Sequence, residues 1–206
     1  MGKIETLLYG IGLAGVAVNA ASGVLEAGRK PFDMFGMVVV ALAAALGGGT
    51  LRDLLLDRTV FWIADQSYLV CAILAGMLSF AAARYWRLPS RLFLLPDALG
   101  LALFTVSGTK IALGLGVPWL VASAMGVITG VVGGILRDVL CNEEPLIFNG
   151  PLYATPAWFG ALLLVGLTEI GVTAAPAALA AGAFVLLGRL LALRYDLTLP
   201  TYSARL

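Results

Sequence analysis

Gly47-Gly48-Gly49-Thr50-Leu51-Arg52-Asp53 returns further along the chain as Val132-Gly133-Gly134-Ile135-Leu136-Arg137-Asp138. Every residue lies 85 places before its mate, as Arg52 does before Arg137 (137 − 52 = 85). The register extends outward without a gap. Gly15 falls on Gly100, Ala17 on Ala102, Ser22-Gly23 on Ser107-Gly108 and Tyr68 on Tyr153. Scattered Gly and Ala matches are easy to get by chance in so biased a composition. A gap-free match carrying an Arg-Asp pair and a Tyr is not.

The composition sets the medium. Of 206 residues, 61% are hydrophobic and 12% charged, against about 25% charged in soluble domains. A water-soluble fold of this size has too little interior for that much apolar surface, so lipid is the solvent. A net charge of +1 gives no basic field, and nucleic acid is not an expected partner. Histidine is absent, which removes the usual general base, zinc ligand and pH switch. Cys71 and Cys141 have no metal spacing and read as small buried hydrophobes. With no nucleophile–base set, enzymatic function, cofactors and a resident metal are not expected.

A span needs about 20 apolar residues to cross roughly 30 Å of hydrocarbon. Seven candidates follow: Thr6–Ala27, Phe35–Leu56, Tyr68–Tyr85, Leu92–Leu113, Trp119–Cys141, Pro151–Glu169 and Ala174–Arg194. The first resembles a signal peptide, with Lys3 before an apolar run, but it belongs to the repeat and is expected to be a retained span. The prediction is an all-α membrane protein, one domain over 1–206. Repeat one covers about 5–86, repeat two about 91–170 and a seventh helix about 174–194. Three spans per repeat is an odd number, so the second copy enters from the opposite face and the repeats are inverted. Arg29, Lys30, Arg84, Arg87, Arg91, Arg194 and Arg205 gather on one side, leaving Lys3 and Arg58 on the other. The N-terminus is therefore expected outside and the C-terminus in the cytoplasm of a prokaryotic plasma membrane. Trp86, Trp119, Tyr85 and Tyr153 read as interfacial anchors.

Ala41, Ala45 and Gly49 recur every fourth residue, as do Gly126, Gly130 and Gly134, which is the spacing of a close helix contact. Three consecutive glycines wrap most of a turn and weaken the helix by about 1 kcal/mol each. A break is expected at Gly47–Gly49, with Thr50 capping a new half-helix, and a milder kink at Gly133 and Gly134. Charges in a span cost about 2.5–3.5 kcal/mol and are functional by default. The inverted symmetry suggests pairing Arg52 with Asp138 and Arg137 with Asp53; such pairs line a pathway or merely lock the repeats together. Ser22, Ser107, Thr105 and Asp97 are further candidate pathway linings, as is Lys110 unless it snorkels to the outer interface.

These motifs, with Asp97-Ala98-Leu99-Gly100 and Phe104-Thr105-Val106-Ser107-Gly108 in span four, resemble the signatures of prokaryotic TRIC (trimeric intracellular cation) channels. The resemblance covers nearly the whole chain, including the seventh helix. It implies a homotrimer in lipid in which each subunit has its own pore for monovalent cations, chiefly potassium. The kinked second and fifth helices would line that pore, with Gly47–Gly49, Gly133 and Gly134 shaping the constriction. Bacterial relatives are also catalogued as glycine transporters, and a secondary transporter of a small zwitterion is the alternative. Paired arginines leave a neutral, cation-compatible path, whereas unpaired ones favour an anion or zwitterion.

Overall fold

The computed structural model describes residues 3–85, 89, 91–148 and 150–200. Trp86, Arg87, Arg205 and the side chain of Lys3 lie outside the described residues. Among the described residues the helices are α1 (Lys3–Ala27), α2 (Met34–Leu55), α3 (Phe61–Ala64), α4 (Ser67–Tyr85), α5 (Leu94–Gly114), α6 (Trp119–Leu140), α7 (Ala154–Glu169) and α8 (Ala174–Tyr195). Six are long and apolar enough to cross a membrane, and α7 is a shorter apolar helix.

Adding 85 to the bounds of α2 gives those of α6. Both also stop in the same way. Residue Asp57 or Asn142 turns into the left-handed region, at φ 50° or 52°. The next amide then closes back on the helix, Arg58 N–H onto the Asp53 carbonyl and Glu143 N–H onto Asp138, each at 2.9 Å. Asp and Asn tolerate that backbone better than other non-glycine residues. At its start, α2 is capped by Asp33, whose carboxylate accepts the Gly36 N–H at 2.7 Å.

Two reciprocal crossings build the centre. A Cβ at Gly15 would strike the Phe104 ring, and one at Gly100 would strike Asn19. A Cβ at Gly48 would strike the backbone carbonyl of Thr129, and one at Gly133 that of Ala44. Each contact maps onto its partner under the 85-residue shift, so α1 crosses α5, and α2 crosses α6, about one pseudo-two-fold axis. Small residues supply this attraction where lipid removes the hydrophobic drive between helices. Outside the centre, α4 packs on α1 and α2, α7 on α6 and α8, and α8 on α5.

The expected break in span two is absent. Helix α2 continues through Gly47–Gly49. Each glycine meets a different neighbour: Gly47 the Leu136 side chain, Gly48 the Thr129 backbone, and Gly49 the Phe61 ring. Close approach on three sides explains the run without severing the helix. Thr50 accordingly caps nothing. Its hydroxyl donates to the Leu46 carbonyl at 2.7 Å and accepts Trp62 Nε1–H at 2.9 Å. Span six also begins later than expected, at Ala154, behind a turn over 151–153. Tyr153 is buried there and is not an interfacial anchor, whereas Tyr85 and Trp119 are exposed.

Candidate functional site: two arginine–aspartate stations

In repeat one, Arg52 Nε–H donates to Asp53 Oδ1 at 2.9 Å, and Asp53 Oδ2 accepts the Phe61 N–H at 2.9 Å. In repeat two, Arg137 Nε–H donates to Asp138 Oδ1 at 2.8 Å, and Asp138 Oδ2 accepts the Leu146 N–H at 3.0 Å. Each aspartate thus binds its neighbouring arginine and holds the backbone amide eight residues on, which in repeat one is the first of α3. Each guanidinium also lies over an aromatic ring, Phe61 at 5.6 Å and Phe93 at 5.1 Å. All four charged groups are buried.

This corrects the expected cross-repeat pairs. Gly48 is level with Thr129 and Ala44 with Gly133, so Arg52 is level with residue 125. That is twelve residues from Arg137 (137 − 125 = 12), or about 18 Å along the helix. The arginines occupy opposite halves of the molecule and cannot exchange partners. Each instead folds back along its own last helical turn, presenting Nε to the adjacent carboxylate and leaving its terminal nitrogens for others.

Those nitrogens meet different surroundings. Arg137 Nη1 donates to Ser22 Oγ at 2.8 Å and to Asp97 Oδ1, which also accepts the Tyr153 hydroxyl at 3.1 Å. Arg189, fully buried in α8, stacks over the Tyr153 ring at 4.6 Å. Its Nη1 donates to the Pro151 and Leu152 carbonyls, both at 2.9 Å. In repeat one the place of Asp97 is taken by Gly12, against which Tyr68 packs. Tyr68 meets the Tyr9 and Phe61 rings edge-on at 5.5 and 4.9 Å. Arg58, a third exposed, lies 3.8 Å from Asp53. One station is ionic where its mate is aromatic.

The repeat-two station lies beneath a charged rim. Buried Glu26 accepts from Arg29 at 2.6 Å, and Lys30 reaches Glu143 at 2.7 Å, joining the α1–α2 loop to the α6–α7 loop. Lys30 holds the Glu143 carboxyl below the usual carboxylate range, and Glu26 raises the Arg29 guanidinium further. At the other end, the Ser67 N–H at 2.9 Å lowers Asp65.

Of the residues singled out from sequence, Ser22, Asp97, Arg137 and Asp138 come together, with Gly134 beneath the Tyr153 hydroxyl. Thr105 and Ser107 are buried farther along α5, and Lys110 is half-buried beyond them. Glu26 and Arg189 were missed. Both were readable as charges within spans, the signal that selected Arg52. Among the described residues no group of three His, Cys, Asp or Glu is placed to hold a metal.

The architecture is that of an inverted-repeat helical membrane protein with a charged core. A sequence profile described as "Glycine transporter" matches residues 10–84 and 94–169, one match in each repeat, and the chain belongs to that family. It is 42% identical over 203 residues to a UPF0126 membrane protein of Vibrio cholerae serotype O1, covering 96% of this chain and 84% of that protein. The UPF0126 inner membrane protein YadS of Escherichia coli (strain K12) is 40% identical over 200 residues, covering 96% and 97%. The fold is that of prokaryotic TRIC channels. The TRIC trimeric intracellular cation channel orthologue from Rhodobacter sphaeroides superposes with a TM-score of 0.89 at 36% identity, over 93% of this chain and all of that one.

Proposed function

We propose that the protein is a channel for monovalent cations, potassium foremost, with a path inside each subunit that runs along α6. It works as a homotrimer in the prokaryotic inner membrane, N-terminus outside and C-terminus cytoplasmic. The observation that carries this reading is the balance of buried charge. Among the described residues, three buried arginines, Arg52, Arg137 and Arg189, stand against four buried carboxylates, Glu26, Asp53, Asp97 and Asp138. The guanidiniums are thereby neutralised and one formal negative charge is left over (4 − 3 = 1), which favours a cation over an anion. The relatedness to a trimeric cation channel orthologue supports both the ion and the assembly. Arg29, Lys30, Arg84, Arg91 and Arg194, on the Glu26–Glu143 side, support the orientation.

The family's description favours a second reading, a glycine carrier, in which Asp97 and Arg137 would hold the two ends of a zwitterion. Purified protein in potassium-loaded liposomes separates the two. Potassium efflux without an added ionophore, indifferent to glycine, supports the channel. Tight liposomes with saturable glycine uptake overturn it.

A further inference from the structure

Helices α5 and α6 meet along a seam that differs in chemistry from its mate in the other repeat. On α5 the seam carries Asp97, Leu101, Thr105 and Thr109, four residues apart. Each polar rung faces a glycine of α6. A Cβ at Gly126 would strike Thr109 Oγ1, one at Gly130 would reach Thr105 Oγ1, and one at Gly134 would reach the Tyr153 hydroxyl, with Asp97 beyond it. The corresponding residues of α1, 85 earlier, are Gly12, Val16, Ala20 and Val24, and the last three are core residues packed with Ala41 and Ala45. One seam is a polar ladder and the other is sealed with methyl groups.

A second observation points the same way. The buried polar atoms without a partner include Thr105 Oγ1, Asp97 Oδ2 and Arg137 Nη2, all on this seam, with Glu26 Oε2 among them at its charged rim. Buried polar groups are normally satisfied, and when no protein atom serves, water or an ion does. The direct alternative, between α2 and α6 on the axis, is shut where Gly48 and Gly133 rest on backbone carbonyls.

We infer that the hydrated route runs off the pseudo-two-fold axis, along α5 and α6 past Asp97, Thr105 and Thr109, and that the α1–α2 seam is a dry structural copy. Its ligands are water and monovalent cations, which the hydroxyls and Asp97 Oδ2 would coordinate. This rests on the channel reading for what flows, but not for where water enters.

The test places single cysteines in a Cys71→Ala, Cys141→Ala background. Thr105→Cys and its mate Ala20→Cys are exposed in proteoliposomes to 2-aminoethyl methanethiosulfonate, and modification is followed by mass. The expected result is that Thr105→Cys reacts at least about tenfold faster than Ala20→Cys, since thiol reactivity follows access. Equal rates, or faster reaction at Ala20→Cys, overturn the inference. Thr105→Val, which keeps the shape and removes the hydroxyl, is expected to lower potassium efflux several-fold; unchanged efflux also overturns it. Selective modification of Thr105→Cys in a protein that passes no potassium would sink the channel reading while supporting the wet seam.

Discussion

The Tyr153 hydroxyl donates to Asp97 Oδ1 at 3.1 Å, while the Tyr153 ring carries the guanidinium of Arg189 at 4.6 Å. A single side chain therefore couples the ionic station to the helix that lies outside both repeats. Tyr153→Phe keeps the stack and removes the hydrogen bond. The expected loss is about 1–2 kcal/mol, the upper range for polar contacts between membrane helices. Thermal denaturation in detergent measures it, and an unchanged midpoint would show the bond to be idle.

Arg189 holds two backbone carbonyls of the turn before α7, and the Leu152 N–H of that turn donates to the Leu197 carbonyl at 2.8 Å. Arg189→Met preserves most of the volume but leaves those acceptors bare. A cost of about 1–3 kcal/mol follows from buried acceptors left without donors. Hydrogen exchange should accelerate at Leu152 and Leu197 first and leave α2 and α6 unaffected.

Substituting glycines sorts them by neighbour. Gly48→Ala and Gly133→Ala each push a methyl into a backbone carbonyl that cannot turn aside, so each is expected to destabilise by about 1–3 kcal/mol or more. Gly10→Ala and Gly166→Ala meet nothing within 4 Å and should be neutral or slightly stabilising, by up to about 1 kcal/mol. Melting the four variants side by side checks the order; equal effects would refute the close crossing.

Asp97→Asn removes one of the four buried carboxylates and leaves Asp138 as the ion-pair partner of Arg137. The buried charge becomes neutral, and permeability for potassium over chloride should fall. Reversal potentials across a planar bilayer under a KCl gradient report the ratio. An unaltered ratio would mean that Asp97 takes no part in selection.

The Lys30–Glu143 pair carries a pH signature. Its carboxyl is held below the ordinary value of 4.5 by Lys30. A depressed folded-state value gives stabilisation that is present above the unfolded value and lost as pH falls through the lower folded one. Acidification below about pH 4.5 should therefore loosen the two loops in the wild type. Glu143→Gln should remove that pH step by lowering stability near neutrality, where the pair is intact, and should match the wild type once both are in acid.

Most of the framework could be read from the chain. The 85-residue shift located α2 and α6, and an odd span count inverted the halves. What escaped is informative. Gly47–Gly49 read as a break because a glycine that weakens a helix and one that admits a neighbour are the same letter; only the position of Thr129 and Phe61 decides. The partners of Arg52 and Arg137 were misassigned because symmetry relates positions without saying how far apart they stand. Tyr153 looked like an anchor by its place at a span end. It is buried in a cluster with Leu101 and Val185 and beneath Arg189, and α8, which carries Val185 and Arg189, belongs to no repeat.

The adjacency of Arg52 and Asp53 bears on how the chain is made. Thr129, on which Gly48 closes, lies 81 residues later (129 − 48 = 81). At about 5–20 residues per second that is roughly 4–16 s of synthesis, during which α2 must reside in the bilayer without α6. A guanidinium waiting for Asp138 would spend that interval uncompensated in hydrocarbon. Paired with Asp53, whose other oxygen accepts the Phe61 N–H, it carries its neutralising partner from the start. Each hairpin leaves the insertion machinery electrically self-contained, and the second half has only to dock.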